Sequence, residues 1–417
     1  MFIVIWILSK IGLEQKRSRN KIDIFVDFKR FIHIYRSGNY KIAVYTICKD
    51  EIQNVDQWMT SMFEADYICV LDTGSKDGTY EKLLSWQKKF PQKVIISQKT
   101  YSPWRFDTPR NDSLALIPKD ADIDISTDLD ERLVFGWSDL FKKAWEKSIT
   151  KKQLAYKYAW SHNQDGTPAR VFWYNKCHDN SGKWKWSYPV HETLVYDDNP
   201  QAIIPNDKVS DDILLHHFPA NKTSRSNYLP LLELRAKENP NDYYGLVYLA
   251  HEYYYQGLYQ KSIDFIEQVA FPKISSQDLY CCKTDLYLFK GKAYLALNQT
   301  QKAIISFKQG IAETPEFRDN YLCLAEAYLM TREYNKAIDA VHEALLHSRR
   351  LYSWLEWDKS WTTLPADILS NAYYYLGAKN TALDYAEMAY QKDKKDERLY
   401  HNYCLILQEL KGEGPGK

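Results

Sequence analysis

Apolar and polar residues change rhythm twice along the chain. The run Lys41-Ile42-Ala43-Val44-Tyr45-Thr46-Ile47 is short and mostly apolar and predicts a buried strand; Tyr67 to Leu71 repeats the signal, and Val94-Ile95-Ile96 gives a third. The first two end in polar residues: Cys48-Lys49-Asp50-Glu51, and the turn-forming cluster Asp72-Thr73-Gly74-Ser75-Lys76-Asp77-Gly78-Thr79, after which a helical pattern opens at Tyr80. Alternation in Ile123-Asp124-Ile125-Ser126 predicts a half-buried strand. Strand-helix-strand units of this kind predict a mostly parallel sheet. Such sheets bind ligands beyond the carboxyl ends of their strands, where Asp72 and Asp128 both fall.

From Tyr243 the period becomes helical and the sequence repeats itself. Gly291-Lys292-Ala293-Tyr294 aligns with Ala325-Glu326-Ala327-Tyr328, and Ala303-Ile304 with Ala337-Ile338, at an offset of 34 residues. That is the tetratricopeptide period, in which small residues let paired helices approach and larger ones fill the seam. Flanking copies run from Ala250 to Ile263 and from Ser370 to Leu383, at longer offsets that imply insertions. Stacked pairs also form a concave surface, suited to acceptor binding or to a homodimer.

The candidate chemistry lies at Asp128-Leu129-Asp130-Glu131. Two carboxylates one residue apart at a strand end can reach one hard divalent cation, Mg²⁺ or Mn²⁺, and leave coordination sites open for a diphosphate. Alone, the triplet is also a common solvated turn.

Three motifs in order give it context: Asp72 to Thr79; Trp104-Arg105-Phe106 followed by Pro109-Arg110-Asn111-Asp112; and Asp128 to Glu131. Together they resemble the nucleotide-sugar half of a family 2 glycosyltransferase of GT-A fold. With the repeats, residues 40 to 400 resemble the sublancin-type peptide glycosyltransferases. Pro109 stands where that family has a small residue, and Asp124 and Ser126 are more polar than its pattern. The resemblance implies a GT-A α/β domain over 40–225 and a tetratricopeptide-repeat helical domain over 226–417. It implies an inverting transfer from a nucleoside diphosphate sugar, a UDP-sugar first, to a peptide, protein or glycan, with a modified nucleobase a lesser option. Asp130 is then the direct ligand of Mn²⁺ or Mg²⁺, Asp128 contacts the ribose or the metal, and Asp72 holds the nucleoside. Arg110, a donor only, clamps phosphate oxygens or holds Asp72 or Asp128, the plain alternative being a surface salt bridge. Asn111 and Arg170, the latter in Ala169-Arg170-Val171-Phe172, complete the donor set.

Val190-His191-Glu192 and Leu214-Leu215-His216-His217 are shorter matches. Glu192 is the expected base, assisted by His191; the alternatives are a solvated Glu192 and a packed or metal-binding His191. His216 is the expected third metal ligand, or else a buried structural histidine. The tryptophans Trp104, Trp160, Trp173, Trp184 and Trp186 are expected in the core or the pocket wall.

A length of 417 residues with 45% hydrophobic content suits two cores, and a formal net charge of +1 gives no reason to expect nucleic acid. Seven cysteines without zinc spacing fit a reducing cytoplasm. Residues 1–39 are expected to dock on the fold. Phe2 to Leu8 is too short to span a bilayer and precedes its basic residues, so peripheral membrane association is the lesser expectation and no transmembrane segment is expected. The competing functional class is a repeat scaffold whose transferase-like domain binds nucleotide without turnover.

Overall fold

The computed structural model describes residues 39–162, 166, 168–197, 207–208, 213–219, 228–274, 282–348, 350 and 355–412. The expected N-terminal docking segment lies outside these residues except for Asn39, as does the expected boundary between 225 and 226.

A mixed sheet fills the first half. β1 (Ile42–Cys48), β2 (Tyr67–Asp72), β3 (Val94–Gln98) and β4 (Ile123–Ser126) are parallel, in the order β3-β2-β1-β4. β5 (Glu131–Leu133) leaves the turn after β4. β6 (Gln153–His162) and β7 (Pro168–Asp179) form a long antiparallel hairpin, with β7 antiparallel to β4. After a separate ribbon of β8 (Trp184–Ser187) with β9 (Thr193–Tyr196), the short β10 (Asp207–Lys208) joins β6. β11 (Leu214–His217) lies between β6 and β5, so that the sheet order runs on as β7-β6-β11-β5.

β1 is central and buried at every position, and its two-residue period sorts it between two cores. Ile42 and Val44 join Trp58, Phe141 and Ile125 on one face; Ala43 and Tyr45 join Cys69 and Trp186 on the other. The same alternation explains the polar positions of β4: Ile123 and Ile125 enter the first core, while Asp124 and Ser126 point the opposite way and are still buried. The crossover helices are α1 (Ile52–Ser61), α2 (Thr79–Lys89) and α3 (Asp107–Leu114), with α4 (Trp137–Lys147) after β5.

The second half is a tetratricopeptide-like helical repeat. After α5 (Tyr228–Glu238) come antiparallel pairs: α6 (Tyr243–Tyr255) with α7 (Tyr259–Phe265), α8 (Cys282–Ala296) with α9 (Thr300–Glu313), α10 (Arg318–Met330) with α11 (Tyr334–Leu346), and α12 (Leu364–Tyr375) with α13 (Lys379–Lys392). α14 (Glu397–Leu410) follows. Ala303, Ala325, Ala327 and Ala337 lie fully buried in one core with Phe307 and Phe317, as the repeat pattern requires. Gly291 is needed where it stands, because a Cβ there would lie 2.3 Å from the Phe307 ring. The expected insertion before the last pair contains a 3-10 turn, Asp358–Trp361. No helix among the described residues is long and apolar enough to cross a membrane.

From Tyr40 onward the two halves belong to one compact unit. A small core joins them: Val190 from the sheet half packs with Leu232, Leu249 and Tyr253 from α5 and α6, and Phe106 and Tyr228 flank it.

Candidate functional site

The turn from Asp72 to Thr79 is largely a self-satisfied scaffold. Asp72 is fully buried, and its Oδ1 accepts from the N–H groups of Gly74 and Ser75 and from Gln98 Nε2, each at 2.9 Å. Asp77 receives Thr79 N at 3.0 Å, at the start of α2, and its other oxygen receives Ile52 N at 3.0 Å. Thr79 Oγ1 accepts from Glu51 N at 2.8 Å. The motif therefore ties the β1–α1 turn to the β2–α2 turn. Asp72, expected to hold the nucleoside, spends its carboxylate on this task, and Thr73 is the member that lines the cavity.

That cavity, about 980 Å³, opens at the carboxyl ends of β1, β2 and β4. Asp128, Asp130 and Arg110 line it together, as does Lys49. Within the Asp128–Glu131 turn, Glu131 N donates to Asp128 O at 3.0 Å and Asp128 N donates to Glu131 Oε2 at 2.9 Å, so Glu131 closes the turn that presents the two aspartates. Burial, then the neighbouring Asp128, push the Glu131 carboxyl above its ordinary range.

Arg110 is only 4% exposed. Its Nη2 lies 2.6 Å from Asp128 Oδ1 and its Nε donates to Glu192 Oε1 at 2.9 Å, while Nη1 is buried without a hydrogen-bond partner among the described residues. Burial pushes Asp128 upward, but Arg110 and then Lys176 outweigh it and hold this carboxyl below the usual carboxylate range. Trp186 lies 5.4 Å under the guanidinium and is itself fixed: its Nε1 donates to Tyr45 Oη at 3.0 Å. The Tyr45 hydroxyl is 2.9 Å from His178 Nε2, and His178 Nδ1 is 2.9 Å from Asp179 O. Because a carbonyl can only accept, Nδ1 carries the hydrogen and Nε2 accepts from Tyr45.

Several expected site residues stand elsewhere. His216, the expected metal ligand, pairs with His162 at 2.9 Å and stacks on Phe218. His217 meets Asp130 instead, with Nε2 3.5 Å from Oδ2, and Trp160 O lies 3.1 Å from its Nδ1. Neighbouring strand residues face opposite ways, so only one of the pair can reach Asp130. Burial lowers the His217 pKa, but the bonds to Asp130 and Trp160 reverse this and leave it raised. Glu192, the expected base, is 10% exposed at the side chain, is bonded to Arg110, and stands behind Arg110 rather than in the cavity wall. His191 is stacked on Tyr248 of α6 at 4.1 Å, outside the cavity wall. Asn111, expected in the donor set, grips β8, donating to Trp186 O and accepting from Trp186 N, both at 2.8 Å. Arg170 is partly buried, with Asp358 and Arg350 of the helical half as its strongest charged neighbours.

The cavity also contains residues the motifs did not single out. Glu51 and His162 line it, and Trp160, Phe218 and Tyr228 supply aromatic wall. His217 shares the buried face of β11 with Leu215, so the two-residue period carried a signal for it. Trp104 also lies in the wall, whereas Trp184 and Trp186 are buried.

No protein-family model matches the chain, and no curated protein matches it in sequence. Solved structures similar to it include TTC0263, a thermophilic TPR protein of Thermus thermophilus, at 22% identity, covering 43% of this chain and 88% of that one with a TM-score of 0.34. MamA is similar at 21% identity, covering 41% of this chain and 83% of that one with a TM-score of 0.31. YrrB, a TPR protein described as having an unusual peptide-binding site, is similar at 11% identity, covering 42% and 82% with a TM-score of 0.33. The repeat assignment here rests on the helix pairs and the period of this chain itself.

Proposed function

We propose that this chain is a metal-dependent inverting glycosyltransferase of GT-A type, which moves a sugar from a nucleoside diphosphate sugar, a UDP-sugar first, to a peptide, protein or glycan acceptor. The observation that carries the reading is that Asp128 and Asp130, at the carboxyl end of β4, share one cavity with Arg110, whose buried Nη1 lacks a partner among the described residues. The parallel strands β3-β2-β1-β4 with antiparallel β7 beyond them support the nucleotide-binding type of sheet, and the cavity lies where such sheets take ligands.

Glycosyl transfer develops positive charge on the sugar and negative charge on the departing diphosphate. Asp130, with the Asp128 oxygen not bonded to Arg110, suits Mn²⁺ or Mg²⁺, hard cations that are held by one or two carboxylates and keep the remaining positions for water and phosphate. Bound there, the cation would neutralise charge on the leaving diphosphate. Among the described residues no group of three or more His, Cys, Asp or Glu side chains forms a metal cluster. Arg110 supplies a fixed donor toward phosphate oxygens, and Glu192 acts here as the carboxylate that aligns Arg110.

The test is a donor screen. Purified protein with Mn²⁺ or Mg²⁺ is offered a panel of nucleotide sugars, and released nucleoside diphosphate is read with and without EDTA, for wild type and for Asp130→Ala. Metal-dependent release from one donor, lost in the variant with its fold retained by circular dichroism, is the expected result. Release unaffected by EDTA and by the substitution would overturn the metal assignment. Binding without release would favour the scaffold class, and neither binding nor release across the panel would overturn the donor-site reading.

A further inference from the structure

The first helix of the repeat half reaches into the support of this site. Arg235, on α5, is 1% exposed. Its Nη1 donates to Val190 O at 2.8 Å and to His191 O at 2.7 Å, its Nε donates to Asp242 Oδ2, and its guanidinium lies 4.0 Å over the Tyr188 ring. The segment it grips is not relaxed: Tyr188 and His191 have φ of 82° and 50°, in the left-handed region that favours glycine. Backbone of this kind persists only where its surroundings over-determine it. The next residue, Glu192, is the partner of Arg110 Nε, and Arg110 in turn holds Asp128. On its other side the segment is fixed by Phe106 N, at the start of α3, which donates to Pro189 O at 2.9 Å.

A second contact runs in parallel. Arg105 donates to both oxygens of Glu238, at the end of α5, at 3.1 and 3.2 Å, and to both oxygens of Asp107 at 2.6 and 2.7 Å. α5 therefore holds the loop carrying Glu192 and also the first residues of the helix carrying Arg110. The neighbouring helix has made room for this arrangement, since a Cβ on Gly245 would stand 2.5 Å from Asp242 Oδ2 and 2.8 Å from Arg235 Nε.

We infer that Arg235 is a positioning residue for the candidate donor site: it fixes the loop 188–192 with Tyr188 and His191 at positive φ and, through Glu192, sets the Arg110–Asp128 pair. The helical repeats are then part of the site's construction. The functional side of this inference rests on the reading of Asp128 and Arg110 proposed above; the structural side does not.

The experiment has two readouts on the full chain. Hydrogen exchange by mass spectrometry is compared for wild type, Arg235→Met, Arg235→Lys and Gly245→Ala, and affinity for UDP with Mn²⁺ is measured on the same samples. Arg235→Met is expected to raise exchange at least tenfold in peptides covering residues 188–193 and Asp107–Leu114, leave the helices from Thr300 to Leu346 unchanged, and weaken UDP–Mn²⁺ at least tenfold. Arg235→Lys keeps a cation able to donate to the two carbonyls and is expected to recover much of both. Gly245→Ala keeps the buried charges, protects against misreading an unfolded Arg235→Met, and is expected to show the same pattern more weakly. Exchange that rises only in α5 and α6, or affinity within twofold of wild type, would overturn the inference. If wild type itself takes up no UDP with Mn²⁺, the donor-site reading fails, and exchange alone decides whether Arg235 holds the loop.

Discussion

A guanidinium that is 4% exposed and bonded to two carboxylates cannot be removed without leaving both of them behind. Replacing Arg110 with Met should therefore destabilise the fold by about 3 kcal/mol, since the loss includes Glu192, and Asp128 on its cavity side, left without their cation. Urea denaturation checks this; a change under 1 kcal/mol would mean that the pair is solvated like a surface bridge. Asp124 is the opposite case, a buried carboxyl without a cationic partner among the described residues. His178 Nδ1, 4.0 Å away, is turned to Asp179 O, and burial holds the imidazole pKa at about 4, so the ring is neutral near pH 7. Burial above all, then Asp179 and Asp122, push the Asp124 carboxyl up to about 8; buried Tyr45 also neighbours it. A carboxyl whose folded pKa lies above its unfolded value favours the fold at low pH, and that contribution fades as pH rises from about 4 toward 8. Asp124→Asn should remove the fade. Its stability relative to wild type should grow by a few kcal/mol between pH 4 and pH 8 and level off above, measured as urea midpoints across that range. A pH-independent difference would place a cation near Asp124.

Elements differ in how plainly the chain announces them. β1, β2 and β3 follow from short apolar runs, β4 from alternation, and α8 to α11 from a 34-residue period whose small residues are all buried. At Gly291 the period has a direct steric meaning: Gly291→Ala forces a Cβ to within 2.3 Å of the Phe307 ring. Such overpacking is expected to cost about 1–3 kcal/mol, visible as a lower urea midpoint, while Ala325→Gly at the equivalent position of the next repeat should lose about 2 kcal/mol through helix propensity and the buried methyl group it removes. Roles within the site were less legible than elements, for a consistent physical reason. The motif from Asp72 to Thr79 marks the strand and turn, but which carboxylate points at a ligand and which is consumed by backbone N–H groups depends on the fold of the turn itself. Asp72 went to the turn, and Asp128 to Arg110, as one reading of Arg110 allowed. His216 and His217 differ by one residue and by one face of β11; the two-residue period puts His217 on the face of Leu215, and pairing with β5 sets that face beside Asp130. Glu192 and His191 looked like chemistry in the sequence because their partners, Arg110 and Tyr248, lie 82 and 57 positions away.

At the scale of the molecule the question is whether the sheet half can stand without the helices. Its own cores are substantial, with Trp58, Phe141 and Tyr156 fully buried on one face and Tyr45 and Trp186 buried on the other. The edge facing the repeats is different. Val190, 1% exposed in the intact chain, packs with Leu232, Leu249 and Tyr253, so that ending the chain at residue 225 removes every other buried member of that cluster. Exposing an aliphatic side chain of this kind costs about 1.5–3 kcal/mol, and the Phe106 ring loses its Tyr228 neighbour as well. The Arg235 bonds to Val190 O and His191 O go with them, leaving only the Phe106 N–Pro189 O and Arg110–Glu192 bonds to hold Tyr188 and His191 at positive φ, which costs roughly 1–3 kcal/mol each. The total, on the order of 5 kcal/mol, is comparable with the whole stability of an ordinary domain. A protein of residues 40–225 should accordingly be unstable, with a melting transition far below that of residues 40–417, and should expose peptides around 188–193 to rapid hydrogen exchange even where the β1–β4 core is retained. Residues 228–412 do not carry the reverse dependence, because their main core, from Leu246 to Ala372, is drawn from the helices themselves. That fragment should retain helical circular dichroism and a cooperative transition. Should residues 40–225 instead match the longer chain in melting temperature and in exchange at 188–193, the join between the halves would be a docking contact, and the site would stand independently of the repeats.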